Sequence, residues 1–203
     1  MKEKTTRIGR ICVFIGLLLI AAALSLSVYN VWDARRAQKR QSEILLEFQK
    51  ETDDRNTVSK QEVQDYVLNP DMEMFGVTLE DPEGAACIGI LEIPALSLKL
   101  PVMSEWSYPL LRQAPCRYTG SVYQDNLVIA AHNYKAHFGR LKTLQTGSEV
   151  YFTDALGNRF LYHVAVIEAL TPQSIEEMTS GEWPLSLFTC TWDGKNRVTV
   201  RCE

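Results

Sequence analysis

Leu185-Ser186-Leu187-Phe188-Thr189-Cys190 and, after a turn, Arg197-Val198-Thr199-Val200-Arg201-Cys202 decide how this chain is read. Both runs are short and rich in Val, Thr, Leu and Phe, the residues that fit a pleated, half-buried surface. Asp193-Gly194-Lys195-Asn196 between them is turn chemistry. In the second run, alternation places Arg197, Thr199 and Arg201 on one face and Val198, Val200 and Cys202 on the other, a strand period. Paired as a hairpin, the two runs bring Cys190 close to Arg197. The same texture recurs upstream, at Ala86–Ile93, Leu98–Met103, Leu127–His132, Glu149–Thr153 and Arg159–Leu170. Leu156-Gly157-Asn158, Pro94 and Pro172 punctuate these runs, and only Phe138–Leu144 reads as a short helical turn. Seven short strands in roughly 118 residues predict a mainly β domain, a closed barrel or a sandwich.

Upstream of residue 86 the text is different. Residues Ile11 to Val31 carry no charge and approach the roughly 20 apolar residues that a bilayer core demands. Tyr29 and Trp32 stand where an interfacial aromatic belt would lie. A transmembrane anchor is expected; a cleaved signal peptide is the rival, but its apolar region should be only about 7–15 residues. Lys2, Lys4, Arg7 and Arg10 precede the span and Arg35, Arg36, Lys39 and Arg40 follow it, so the positive-inside rule nearly ties. A short N-terminal flank against a folded C-terminal domain favours N-inside, C-outside. From Asp33 to about Asn69 the chain is polar and lacks Gly and Pro, which suits helix. Ile44, Leu45 and Phe48 form only a narrow apolar patch, so this stretch is expected to be a solvated spacer, with a partner-binding helix as the alternative. Ser59-Lys60-Gln61-Glu62 fits a capping box and Pro70 a helix stop, and Asn69–Ala85 reads as a loop. The expected organisation is a cytoplasmic N-terminus at 1–10, an anchor at 11–31, a helical stalk and linker at 32–85 and the β domain at 86–203.

Composition removes other classes. The chain has 203 residues, 46% hydrophobic and 23% charged, with a net charge of −4; it buries a real core and is not disordered. The acidic balance offers no electrostatic case for nucleic acid. Five cysteines are too few, and odd in number, for a disulfide scaffold.

Cys190 beside a guanidinium would have its thiolate stabilised, and the same cation would stabilise an oxyanion on an acyl group. His132 closes the apolar run Leu127-Val128-Ile129-Ala130-Ala131, and a histidine at a strand exit can present its ring at a site mouth, with a satisfied surface or core residue as the alternative. His137 lies out in the following loop and is expected to be dispensable. His163, inside a strand apolar on both faces, is expected in the core, as is Cys202. A zinc site from His132, His137 and Cys190 lacks both helical spacing and a CxxC partner, and neither metal nor cofactor is expected.

The order His, Cys, Arg resembles the sortases, membrane-anchored cysteine transpeptidases of Gram-positive bacteria. Five segments carry the resemblance: Ile90-Leu91-Glu92-Ile93-Pro94-Ala95-Leu96, Val128-Ile129-Ala130-Ala131-His132-Asn133, Phe138-Gly139-Arg140-Leu141-Lys142-Thr143-Leu144, Leu187-Phe188-Thr189-Cys190-Thr191 and Arg197-Val198-Thr199-Val200-Arg201. The resemblance implies a closed eight-stranded barrel, with Cys190 as nucleophile, His132 as general acid/base and Arg197 as the residue that holds substrate and stabilises the oxyanion. Thr189, Ala131 and Asn133 are expected to contact substrate. The implied donor is an LPXTG-like or NPQTN-like sorting signal, and the implied acceptor an amine of peptidoglycan precursor or a pilin lysine. The implied setting is the cell membrane, single-pass, with the catalytic domain extracellular. Subclass markers conflict: Asp81-Pro82 is similar to the lid motif of pilin-polymerising members but lacks its aromatic, whereas His132-Asn133 followed by Phe138-Gly139 is closer to the class B pattern. A hydrolase using water as acceptor, or a non-catalytic tethered barrel, are the alternatives.

Overall fold

The computed structural model describes residues 2–58, 72–79 and 84–203. The expected capping box at Ser59–Glu62, the stop at Pro70 and the motif at Asp81-Pro82 lie outside them. The chain divides into two compact units, Met1–Arg36 and Ala37–Glu203.

One helix, α1 (Lys2–Val58), runs through both the apolar span and the polar stretch after it. It is long and apolar enough to cross a membrane. Within the first unit Val13, Phe14, Leu17, Leu18, Leu24 and Val28 are all exposed, apolar on every side as a lipid-facing helix must be. At its polar end the Arg36 guanidinium lies 5.5 Å over the Trp32 ring.

In the second unit, strands β1 (Val77–Thr78), β2 (Ala86–Ile93), β3 (Leu98–Met103), β4 (Cys116–Thr119), β5 (Leu127–Ala130), β6 (Glu149–Asp154), β7 (Arg159–Leu170), β8 (Leu185–Cys190) and β9 (Arg197–Cys202) are joined by two one-turn helices, α2 (Tyr108–Leu111) and α3 (Ile175–Met178). Eight of these strands close into a barrel in the order β2-β3-β4-β5-β8-β9-β7-β6, with β6 returning to β2. The pair β1 adds to the end of β2. At the closing seam Gly89 pairs with Asp154. A Cβ there would stand 2.4 Å from the Thr153 carbonyl oxygen, so only glycine lets β2 and β6 meet. The following turn is built on Asp154, whose buried carboxylate accepts from the Leu156 and Asn158 amides at 2.9 and 2.8 Å and from the Tyr123 hydroxyl at 2.7 Å.

The interior is filled by alternate residues of each strand, among them Leu127, Ile129, Leu185, Leu187, Val200 and Cys202. β4 did not announce itself in the sequence. Its four residues lie between Pro115 and Gly120, too short for a visible period, and it holds its place by pairing with β5. The helical pieces also exceed the single expected one: α2, capped by the Ser107 hydroxyl on Leu110 N, and α3 both appear.

The expected solvated spacer is corrected. Ala37, Gln41, Ile44 and Phe48 are buried, Ile44 and Phe48 to 1% and 2% exposure. Their spacing of four, three and four is one helix face. That face packs with Val77, Leu79, Leu110, Leu111 and Ala114, and the Arg40 guanidinium donates to Gln113 Oε1 at 3.1 Å. The stripe was hidden because two of its four members, Ala37 and Gln41, are not strongly apolar.

Candidate active site

The outer face of the sheet β5-β8-β9 carries the chemistry-bearing residues. On β8, Leu185 and Leu187 face inward, which sends Ser186, Phe188 and Cys190 outward. On β9, the inward Val198, Val200 and Cys202 leave Arg197, Thr199 and Arg201 on the outer face. The two strands pair antiparallel with Cys190 opposite Arg197. β5 and β8 run parallel, Leu127 with Leu185 through Ala130 with Phe188. The same offset continues beyond β5: Ala131 N donates to Phe188 O at 3.1 Å, and Thr189 Oγ1 to Ala131 O at 2.7 Å. His132 therefore follows at the level of Cys190. Cys190 and Arg197 stand on adjacent strands and His132 just beyond the end of the next one, with about 5 Å from strand to strand.

Cys190 is exposed, at the last position of β8. The other three cysteines of the second unit, Cys87, Cys116 and Cys202, are buried, and burial pushes each thiol up to about 12. They remain protonated and inert at neutral pH. The β8–β9 turn is tied internally. Thr191 N donates to Asn196 O at 2.9 Å, and the Thr191 hydroxyl and Lys195 amide on Asp193 hold its carboxyl below the usual range. Arg197 is half-buried at the exit of this turn, its Nη1 on the carbonyls of Asn196 and Gly194 at 3.1 and 3.3 Å.

Arg201 shares the face of Arg197 but not its setting. It is 2% exposed. Nε donates to Glu168 Oε1 at 2.9 Å, Nη1 to Ser186 Oγ at 2.9 Å and Met178 O at 3.1 Å, and Nη2 to Glu177 O at 2.8 Å. The guanidinium thus fastens α3 to the sheet, and Met178 of α3 covers Val128 and Phe188.

Thr189 and Ala131, expected to contact substrate, have buried side chains, and the Thr189 hydroxyl is used on the Ala131 carbonyl. They join β8 to the segment that follows β5 from inside. Asn133, next to His132, is half-buried. Two histidines depart from expectation. His163 is exposed rather than in the core, since it points outward between the inward Tyr162 and Val164 of β7. His137 is wholly buried rather than out in the loop. The loop folds back on itself, with Phe138 N donating to His132 O at 3.1 Å and Gly139 N to Tyr134 O at 2.9 Å. A Cβ on Gly139 would meet the Asn133 carbonyl oxygen at 2.4 Å, so this closure requires glycine. Burial, with the nearby His132 charge adding to it, lowers the His137 pKa to about 4.

Sequence reasoning missed an aromatic row beside the site. Phe188 packs edge-on against Tyr118 of β4 at 5.3 Å, Tyr118 against Trp106 at 6.0 Å, and Trp106 against Tyr108 at 5.1 Å. Trp106 and Tyr118 line a cleft of about 470 Å³ with Ser104, Glu105 and Arg117. The row joins three separate segments, so no spacing rule could have found it.

The Sortase domain family matches residues 91–203, more than half of the chain. Among solved structures, a Clostridium perfringens Sortase D5 transpeptidase superposes with a TM-score of 0.61 at 18% identity, covering 81% of this chain and 98% of that one. Sortase C1 from Streptococcus suis gives 0.52 at 22% identity over 69% and 94% of the two chains. A lid mutant of sortase A from Corynebacterium diphtheriae gives 0.50 at 21% identity over 60% and 72%. These likenesses carry the closed barrel, and the family match carries the chemistry. No curated protein matches the sequence. On the span of the matched domain, the chain belongs to the sortase family of cysteine transpeptidases.

Proposed function

We propose that Cys190 is the nucleophile of this transpeptidase, His132 its general acid/base and Arg197 its oxyanion and substrate-holding residue. The observation that carries the reading is the register: Cys190 is the exposed thiol of the second unit, opposite Arg197 on β9 and level with His132 beyond β5. The Cys190 thiolate attacks the carbonyl carbon of the fourth residue of an LPXTG-like or NPQTN-like sorting signal. As the tetrahedral adduct collapses, the C–N bond breaks and the His132 imidazolium gives its proton to the departing amine. An incoming amine, from peptidoglycan precursor or a pilin lysine, then attacks the thioester; His132 takes its proton and the thiolate leaves. An imidazole can serve both transfers, as acid and then as base, and the guanidinium stabilises the oxyanion in each.

The α1 span supports placement as a single-pass membrane protein, and the proposed acceptor, an amine of peptidoglycan precursor, supports a catalytic domain outside the cytoplasm. The test is product analysis by mass spectrometry on a pentapeptide library, with and without an added amine. Cleavage before the fifth residue and an amine adduct that disappears in Cys190→Ala are expected. Hydrolysis alone in the presence of amine would instead establish the hydrolase, and full activity of Cys190→Ala would overturn the assignment.

A further inference from the structure

His137 has no part in the chemistry above, yet it occupies a place that an apolar residue would fill more cheaply. It is fully buried, and neither ring nitrogen has a hydrogen-bond partner among the described residues. A buried polar group left unpaired costs free energy, and its presence calls for a physical reason. The surroundings account for an aromatic ring at this place, though not for its two nitrogens. The Tyr134 ring lies between two imidazoles, 4.9 Å from His132 at 32° and 5.5 Å from His137 at 53°. The backbone beneath the three rings is closed by His137 N on Tyr134 O at 2.9 Å and Phe138 N on His132 O at 3.1 Å. Phe138 and Leu141 anchor that loop in the barrel interior, and the Arg140 guanidinium fastens it to the Leu96 carbonyl.

We infer that His137 is a positioning residue: its flat buried ring backs the Tyr134 ring, and Tyr134 in turn holds the face of the His132 imidazole. The inference rests on His132 being the acid/base. A rigid ring suits this role because the tilted contact, 53° between the planes at 5.5 Å, sets the orientation of Tyr134, whereas a branched aliphatic chain does not define that tilt. Burial also keeps His137 neutral near pH 7, so it neither competes with His132 for the proton nor repels the imidazolium.

The test uses the full-length chain in detergent and two readouts. The first is kcat and KM on a fluorogenic peptide carrying the sorting motif that the library identifies. The second is the His132 Cε1–H resonance in histidine-labelled protein, assignable because the chain has three histidines. Stacking on Tyr134 gives that resonance a ring-current shift that reports the contact directly. His137→Leu is expected to lower kcat about tenfold with KM within twofold, and to move the His132 resonance toward the free-histidine value. His137→Phe, which keeps a flat ring, should stay within threefold of wild type and leave the resonance in place. Tyr134→Ala removes the bridge without opening the buried position and should reproduce the loss, which keeps the test alive should His137→Leu not fold. An unmoved His132 resonance in folded His137→Leu, or equal impairment of the Leu and Phe variants, would overturn the inference in favour of a mere plug. Failure of the underlying reading is separate: His132→Ala would then retain turnover, whatever the resonance does.

Discussion

Arg197 and Arg201 lie four residues apart on one face of β9, and their alanine variants should separate catalysis from stability. Arg201 is the structural one. Its guanidinium makes four hydrogen bonds from a buried position, to the Glu168 carboxylate, the Ser186 hydroxyl and the carbonyls of Glu177 and Met178. Arg201→Ala leaves Glu168, whose side chain is 31% exposed, able to regain water. The Ser186 hydroxyl and the Met178 carbonyl sit at the buried end of the network and lose a charged donor. Bonds to charged groups contribute about 1.5–3 kcal/mol each, and removing one partner of a buried pair costs about 3–5 kcal/mol. The contacts act as one unit, so the lower total of about 3–5 kcal/mol applies rather than the sum. For a domain of this size 1 kcal/mol moves Tm by about 2–4 °C, which predicts a loss of about 10 °C. Arg201→Lys should lose about half of that, keeping the charge opposite Glu168 without the planar fork. Arg197→Ala, half-buried and bonded to turn carbonyls, should melt within about 3 °C of wild type, consistent with a surface change. Activity should rank the other way. Arg197→Ala is expected to lower kcat/KM by about 100-fold, the scale for an oxyanion donor, and Arg201→Ala by less than tenfold at a temperature where it is folded. Thermal melts and steady-state kinetics on the four proteins decide it. An Arg201→Ala melt within 2 °C of wild type, or a larger activity loss there than in Arg197→Ala, would refute the division of roles.

Cys190→Ala should abolish turnover and leave Tm unchanged, since the thiol is exposed; peptide mapping after native alkylation should find the label, within the second unit, on Cys190, with Cys87, Cys116 and Cys202 modified only on unfolding. The His137 pKa of about 4 lies below the ordinary 6.5, so its contribution is complete above pH 6.5 and is lost as pH falls from 6.5 to 4, about 3 kcal/mol in all. Denaturant midpoints across that window should show the slope, and His137→Leu should flatten it; a slope equal in both proteins would assign it elsewhere. Phe48→Ala, at a position 2% exposed, should destabilise the barrel unit by about 3–5 kcal/mol. A wild-type melt in that variant would show that α1 does not fold with the barrel.

What the sequence showed and what it hid follow from the range of each interaction. Alternation is local, so the ranges of β2, β3, β7, β8 and β9 were legible almost to the residue. The roles of His132, Cys190 and Arg197 came from the family resemblance, whereas the Cys190–Arg197 juxtaposition was legible through the hairpin alone. β4 was hidden because its strand character comes from neighbours rather than from its own residues. His137 was misplaced for a related reason: a loop that Gly139 lets fold back on itself buries a residue no polarity pattern marks as interior. Arg201 was read only by its face, because burial of a guanidinium depends on acceptors contributed by β7, β8 and α3.

The decisive feature of the site is one that alternation cannot encode, the direction of pairing. β5 and β8 run parallel, so their C-terminal ends arrive at the same rim and His132 and Cys190 emerge side by side. β9 runs antiparallel to β8, so its first residue, Arg197, reaches that rim from the other side. Reversing β5 against β8 would keep every inward and outward side chain in place and still carry His132 to the opposite rim, about 20 Å away for six residues of strand. A parallel pair requires a crossover, and here β6, β7 and α3 form it. The Met178 contact and the Arg201 bonds then fold the end of that crossover down over Val128 and Phe188, on one face of β5 and β8. The same segment that lets the strands run parallel therefore also walls the site they create, which is why loosening α3 should be felt in stability before it is felt in the chemistry.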